Sequence, residues 1–277
     1  MADQLKVNIC DILIQYNFEG VRSASLNLGL FKNYSVEKDM EITLKKVKEI
    51  SFPNKGMCIP PFKYSYYNDG EYNYVWNIQG KRSLMKCSRE WNNATISTTI
   101  NIDNITEENL LLTAVQSRLS YLNGFMMHGS VISYKGNGII FTAGCGVGKS
   151  TQANLWREHE GAEIINGDKA FIRYYQKETK VYGSLWSGSS PYVKNIKVPL
   201  KAIVVLEQSK ENKIRKLSEF EAIELFGTHV YYPYWDKNIM SLVLDTVGLI
   251  IKEVPIYLLS CRPDKEAVDL LKNKIFS

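Results

Sequence analysis

The chain has 277 residues, 45% of them hydrophobic and 23% charged, with a formal net charge of +5. That balance excludes a disordered chain, and the basic residues stand among acidic ones, as from Lys210 to Lys216, rather than in the block a nucleic-acid face would use. The five cysteines (10, 58, 87, 145 and 261) show no CxxC and no Cys/His pairing at zinc spacing, which points to reduced thiols. Asp3, Asn8 and Asp11 break any signal-like apolar start. The most apolar window, Ile239 to Ile251, carries Asp245 and is too short for a bilayer. The expected setting is the cytoplasm, with no nucleic-acid and no membrane partner.

Up to about residue 104 the chain reads as short strands, in keeping with its 17 tyrosines, many of them early. Tyr64–Tyr67 and Tyr72–Ile78 flank Asn68-Asp69-Gly70, a hairpin signal because Asp and Gly tolerate positive φ, and Thr95–Ile102 reads as another strand. A helix follows, with Thr106 as its cap, Glu107 and Glu108 at the positive end of its dipole, and Leu110, Leu111, Val115, Leu119 and Leu122 on its apolar face. Val131–Tyr134 and Ile139–Thr142 are two apolar runs joined by Lys135-Gly136-Asn137-Gly138. That link is too short for a parallel crossover, so the pair is expected to be antiparallel. A helix from Lys149 to His159 comes next, then strands near 162–166, 170–175, 180–185 and Lys201–Leu206. Ser218 with Glu221 forms a capping box for a helix over Glu219–Phe226. Helices near 236–251 and 264–275 enclose a strand over Ile256–Ser260. The pattern predicts a β-rich region over 1–104 and an α/β (α+β) ATP-binding domain over 105–277.

The stretch Ala143-Gly144-Cys145-Gly146-Val147-Gly148-Lys149-Ser150, followed by Thr151, lies between a buried strand and a helix start. A phosphate-binding loop requires that context. Its glycines let the backbone bend so that successive N–H groups converge on a phosphate, and the helix N-terminus adds partial positive charge. Lys149 can reach the β- and γ-phosphates of ATP, and the Ser150 hydroxyl can complete a Mg²⁺ shell. Ala143 stands where the usual pattern has a first glycine, and Ala fits there if its φ is negative. Cys145 reads as a small loop residue whose oxidation should impair nucleotide binding.

Two further residues flank the loop. His128 follows Phe125-Met126-Met127, and Asp168 follows Ile164-Ile165-Asn166-Gly167. A carboxylate at a strand end behind a phosphate loop can hold Mg²⁺ or accept a proton from an attacking hydroxyl. The order His128-Gly129, then Gly146-Val147-Gly148-Lys149-Ser150, then Asp168, at intervals of about twenty residues, resembles the HPr kinase/phosphorylase family. It is also similar to the nucleotide half of ATP-dependent phosphoenolpyruvate carboxykinase. Tyr182-Gly183-Ser184-Leu185-Trp186-Ser187-Gly188 and Pro199-Leu200-Lys201-Ala202-Ile203 resemble a divergent group of bacterial HPr-kinase-like proteins. The N-terminal region does not resemble that family's usual front domain.

The resemblance implies a phosphoenolpyruvate carboxykinase/HPr kinase-like nucleotide-binding core. It implies an ATP-dependent kinase with Mg²⁺, and His128, Lys149 and Asp168 in catalysis, with Asp168 and Ser150 on the metal. The acceptor would be a Ser/Thr of a peptide or protein, or a small hydroxylated molecule, and a homo-oligomer is compatible with this reading. The family has two adjacent acids where this chain has Gly167-Asp168, so one acid is missing. Restoring it with Gly167→Asp is expected to raise activity if the backbone there tolerates a side chain. Glu207, at the end of Ile203-Val204-Val205-Leu206, is the rival acid of an ordinary P-loop ATPase. A non-catalytic nucleotide- or peptide-binding module is the third reading. No Asn/Thr-Lys-x-Asp segment for guanine follows the loop, which argues against a GTPase. Arg262 is a candidate phosphate clamp, and Trp186 and Ser187 are candidates for the substrate side.

Overall fold

Strands β1 (Asp3–Ile9) and β2 (Ile12–Glu19) form a hairpin whose turn residues, Cys10 and Asp11, both have φ of 57°. A positive φ at both turn positions gives the connection whose twist matches the flanking strands. Alternate residues of β2 and of β3 (Met40–Lys46) are buried, with Ile14 beside Met40 and Tyr16 beside Ile42 in register. This period-2 burial is the signature of a sheet with one covered face.

With β4 (Met57–Ile59), β5 (Tyr64–Asn68), β6 (Tyr72–Asn77), β7 (Ser83–Ser88) and β8 (Asn93–Thr98), these strands form an eight-stranded sheet in the order β1-β2-β3-β8-β7-β6-β5-β4. The β2–β3 and β3–β8 pairs are parallel and the rest antiparallel. The hairpin around Asp69-Gly70 is as read from the sequence.

This computed structural model describes residues 3–23, 27–59, 64–78 and 82–277. The chain divides into two compact units: Met1–Tyr121 with Pro233–Met240, and Leu122–Tyr232 with Ser241–Ser277. The division therefore falls after helix α1 (Asn104–Ser120) and not before it, near residue 105. Tyr16 explains why: its buried hydroxyl donates to Glu107 at 2.8 Å, and Glu107 is itself fully buried. The helix cap also differs from expectation. Asp103, not Thr106, is the N-cap, accepting from Thr106 N at 2.8 Å and from its hydroxyl at 2.7 Å. Thr106 sits three residues inside, where a hydroxyl serves the cap instead of being it.

The second unit is built around a mixed sheet. Its strands are β9 (Gly124–His128), β10 (Ser130–Tyr134), β11 (Asn137–Thr142), β12 (Glu163–Asn166), β13 (Lys169–Tyr175), β14 (Glu178–Tyr182), β15 (Lys197–Gln208), β16 (Lys213–Lys216) and β17 (Ile256–Cys261). The order is β12-β10-β11-β15-β14-β13-β9, with β17 also on β15 and β16 on β17. Strands β10 and β11 are antiparallel as expected, through a tighter turn than the four-residue link, since Lys135 and Gly136 alone carry φ of 49° and 74°. On its other edge β11 runs parallel to β15.

Ile139 and Phe141 enter one core and Ile140 the other, so the uninterrupted apolar run is a strand covered on both faces. Helices α2 (Lys149–Glu160) and α5 (Lys265–Phe276) place Trp156, Val268 and Leu271 in the first core. Helices α3 (Glu219–Leu225) and α4 (Lys237–Glu253) place Ala222, Val243, Val247 and Ile250 in the second. The fold class is α+β. Among the described residues no helix is long and apolar enough to cross a membrane.

Two predictions follow from the caps. Asp103→Ala removes both bonds at the start of α1 and is expected to cost about 1 kcal/mol of stability, read from urea unfolding. Glu221 closes the capping box of α3, and the Ser218 N–H and hydroxyl together with Arg215 hold its carboxyl down at about 2. An unfolded Glu titrates near ~4.3. The box therefore stabilises fully above that pH and is lost as pH falls toward about 2. The gap in thermal midpoint between wild type and Glu221→Gln should shrink over that window.

Candidate functional site

The glycine loop begins where β11 ends. Gly146 and Gly148 carry φ of 77° and 126°, values that a side chain resists, whereas Gly144 needs no such freedom. Gly148 is the N-cap of α2 and offers no side chain to cap it. The helical ladder starts with Gln152 N on Gly148 O at 2.9 Å, which leaves the first-turn N–H groups outside it. Ser150 and Thr151 are exposed on that turn. Lys149 is buried and folds back onto the loop, its Nζ donating to Ala143 O and Gly144 O at 3.0 Å each. Burial pulls its pKa down, while Cys145 and Asp168 pull the other way.

The sheet brings His128 and Asp168 to the root of this loop. Thr142, the last residue of β11, donates its hydroxyl to His128 O at 2.7 Å. Asp168 O accepts from Gly129 N at 2.9 Å, and the Asp168 carboxylate lies 3.2 Å from His128 Nδ1 and 2.5 Å from Lys169 Nζ. The hydrogen bond from His128, opposed by burial and reinforced by Lys169, holds the Asp168 carboxyl well below the usual carboxylate range. A carboxylate held this firmly ionised is a good cation ligand and a good orienter of an imidazole, and a weak base on its own.

The position of Asp168 is set by Asn166, whose role the sequence reading passed over. Asn166 is fully buried; its Oδ1 accepts from Asp168 N and Lys169 N at 2.9 Å each, and its Nδ2 donates to Ser184 O, Ser184 Oγ and Trp186 O. An Asn turning its own following backbone is the Asx geometry. Trp186 and Ser187 belong to this support: Trp186 is 5% exposed and stacks on Phe171, and the Ser187 hydroxyl donates to Ser190 O at 2.7 Å. They are packing, not a substrate wall.

Two other residues went unnoticed. Val230 bridges Met127 antiparallel, and Tyr231 N donates to Met126 O at 2.9 Å, so His229 falls opposite His128. Burial, and after it the nearby His128 and Lys149, lower the His229 pKa, and burial and the Asp168 charge raise that of Tyr231. Only the pairing of 229–231 with β9 reveals them, and no local motif announces it.

The other candidates lie apart from this cluster. Glu207 is exposed at the end of β15 and accepts from the Ser260 hydroxyl at 2.6 Å. Arg262 is tied to Asp264 at 2.7 Å and Glu266 at 2.5 Å, so it is not a free clamp. Cys145 is exposed in the loop. Among the described residues, no group of three or more His, Cys, Asp or Glu could hold a metal by itself. Mg²⁺ does not need one, because it binds through one or two oxygen side chains and the phosphates. The Ser150 hydroxyl and the ionised Asp168 carboxylate are hard donors of that kind.

A side chain at Gly167 would have to displace Ser190. A Cβ there would lie 2.4 Å from Ser190 Cβ and 2.2 Å from its Oγ. Backbone strain is not the obstacle, since Gly167 has no positive φ. Gly167→Asp is therefore expected to destabilise the protein by about 1–3 kcal/mol through overpacking, seen as a lower thermal midpoint, without a gain in activity.

Neither a protein-family model nor a curated protein sequence matches the chain. Among solved structures it is similar to the Hpr(Ser) kinase/phosphatase from Coxiella burnetii, at 8% identity, over 54% of this chain and 95% of that one, with a TM-score of 0.34. That is a distant likeness in fold and nothing finer.

Proposed function

We propose that the chain is a kinase of the HPr-kinase-like kind, on a carboxykinase-like nucleotide core, transferring the γ-phosphoryl group of ATP to a hydroxyl with Mg²⁺ as cofactor. The observation that carries this reading is the meeting of a strand–glycine loop–helix with an ionised Asp168 and its His128 partner at the loop's root. Phosphoryl transfer asks mostly for positioning and charge neutralisation, and His128 and Lys169 lie on the Asp168 carboxylate, with Lys149 near enough to feel its charge.

In this reading the loop N–H groups and Lys149 hold the β- and γ-phosphates, with Lys149 exchanging its two carbonyl partners for phosphate oxygens. Ser150 and Asp168 would hold Mg²⁺, which when bound neutralises charge on the phosphates. His128 keeps Nδ1 toward Asp168, which leaves Nε2 to take the acceptor's proton. The acceptor is a Ser/Thr hydroxyl of a peptide or protein, or a small hydroxylated molecule. The exposed loop and first turn of α2 leave room for a second substrate beside the phosphates.

One observation favours a second reading. Glu207 ends a strand that runs parallel to β11, the relation that an ATPase uses for the acid activating water. Its partner is a surface serine, Ser260.

Lys149→Ala removes the loop's buried ammonium and is expected to weaken ATP binding about 10- to 100-fold by calorimetry, since bonds to a charged donor are worth about 1.5–3 kcal/mol. Unchanged affinity in a folded variant would end the phosphate-loop reading. Asp168→Asn keeps the shape and removes the charge, and should slow transfer about 10²–10⁴-fold, with Glu207→Gln near wild type. The opposite ranking assigns the chain to the ATPases.

A further inference from the structure

Across β9, Met127 pairs with Ala170 of β13 on one edge and with Val230 on the other, and all three side chains enter the same core. Paired residues share a face and successive residues alternate between faces. The next residue on each strand, Lys169, His128 and His229, therefore turns away from that core. The three form one row, and its central member, His128, accepts the Thr142 hydroxyl bond at the start of the glycine loop.

His229 is firmly mounted. Phe226, three residues before it, is fully buried and packs on Phe125 with ring centroids 6.2 Å apart. The N–H groups of His229 and Val230 donate to Phe226 O at 3.0 Å and to Gly227 O at 3.2 Å, which closes a tight turn ahead of the bridge to Met127. The ring itself is half-buried and has no hydrogen-bond partner among the described residues. It lies near enough to His128 and Lys149 for both to add to the effect of burial and lower its pKa. At neutral pH it is then an uncharged imidazole with one N–H to give. Polar groups held in place away from water are normally bonded, so an ordered donor without an acceptor marks room for a ligand atom.

In the kinase reading Lys149 reaches the γ-phosphate from the loop, and His128 Nε2 meets the acceptor hydroxyl. The transferring group lies between these two, and His229 is close to both. We infer that His229 is a further catalytic residue, its ring N–H donating to an oxygen of the γ-phosphate. In the transfer the bond from the γ-phosphorus to the bridging oxygen breaks and a bond to the acceptor oxygen forms. The hydroxyl proton passes to His128, ADP leaves with the bridging electron pair, and His229 keeps its proton throughout. The inference rests on the phosphate-loop reading and adds a contact that ATP has and ADP lacks.

Calorimetry with ADP and with the β,γ-imido analogue of ATP, each with Mg²⁺, tests it. His229→Phe keeps a flat ring without the donor, and is expected to weaken the analogue about tenfold or more and ADP less than twofold. The better of His229→Asn and His229→Gln, which offer an amide N–H near the two ring nitrogen positions, should recover part of that loss. Equal losses for ADP and the analogue, or no loss for either, would overturn the γ-phosphate contact and leave the phosphate loop standing. Wild type that binds neither nucleotide would remove both. The chain has three histidines, so their ring signals can be followed by NMR in the wild-type protein, assigned through the backbone. The His229 signals are expected to move with the analogue and not with ADP; movement of the same size with both contradicts the inference.

Discussion

Strand β11 is buried on both faces and paired on both edges, and this constraint fixes where the candidate site can be. Ile139, Ile140 and Phe141 have no solvent face to offer, so β11 must lie inside the sheet, with β10 antiparallel on one side and β15 parallel on the other. Its end, Thr142, is then held against the backbone of His128, and the glycine loop starts from that point. Burying an aliphatic side chain of this size contributes about 1.5–3 kcal/mol. The strand that launches the loop is thus among the more firmly held parts of its unit.

Rigidity behind the loop has its counterpart in the fully buried Asn166. Its side chain binds two following N–H groups on one side and the backbone of Ser184 and Trp186 on the other. A buried polar group satisfied at both ends locks a turn, because each bond lost leaves a partner unsatisfied in the interior. The turn presents the Asp168 carboxylate to His128 and Lys169, and a side chain at residue 167 would have to displace Ser190. Asp168 is thus the one carboxylate that this turn presents to His128.

Much of this was legible in the sequence where the signal is local. The glycine run between an apolar strand and a helix, the hairpin before it, the Asp69-Gly70 turn and the Ser218/Glu221 box are each written within a dozen residues, and each is found in the structure. What depended on distant pairing was not legible. His229 and Tyr231 reach the site only because residues 229–231 add to the edge of β9, roughly a hundred residues earlier in the chain. Strand β16 is too short and too charged to announce itself before it pairs with β17. Asp103 took the cap from Thr106 because a carboxylate one turn earlier can accept from both the Thr106 N–H and its hydroxyl. Helix α1 joined the first unit through a buried tyrosine–glutamate bond spanning 91 residues.

The central claim is that the loop and the His128–Asp168 pair deliver phosphoryl groups to a hydroxyl other than that of water. The most direct measurement is incubation of the wild-type chain with γ-labelled ATP, Mg²⁺ and a panel of serine- and threonine-containing peptides and small hydroxylated compounds, with label located by mass spectrometry. The account predicts a stable phosphoester on an acceptor hydroxyl. Label released only as inorganic phosphate, or left wholly on ATP, would contradict it.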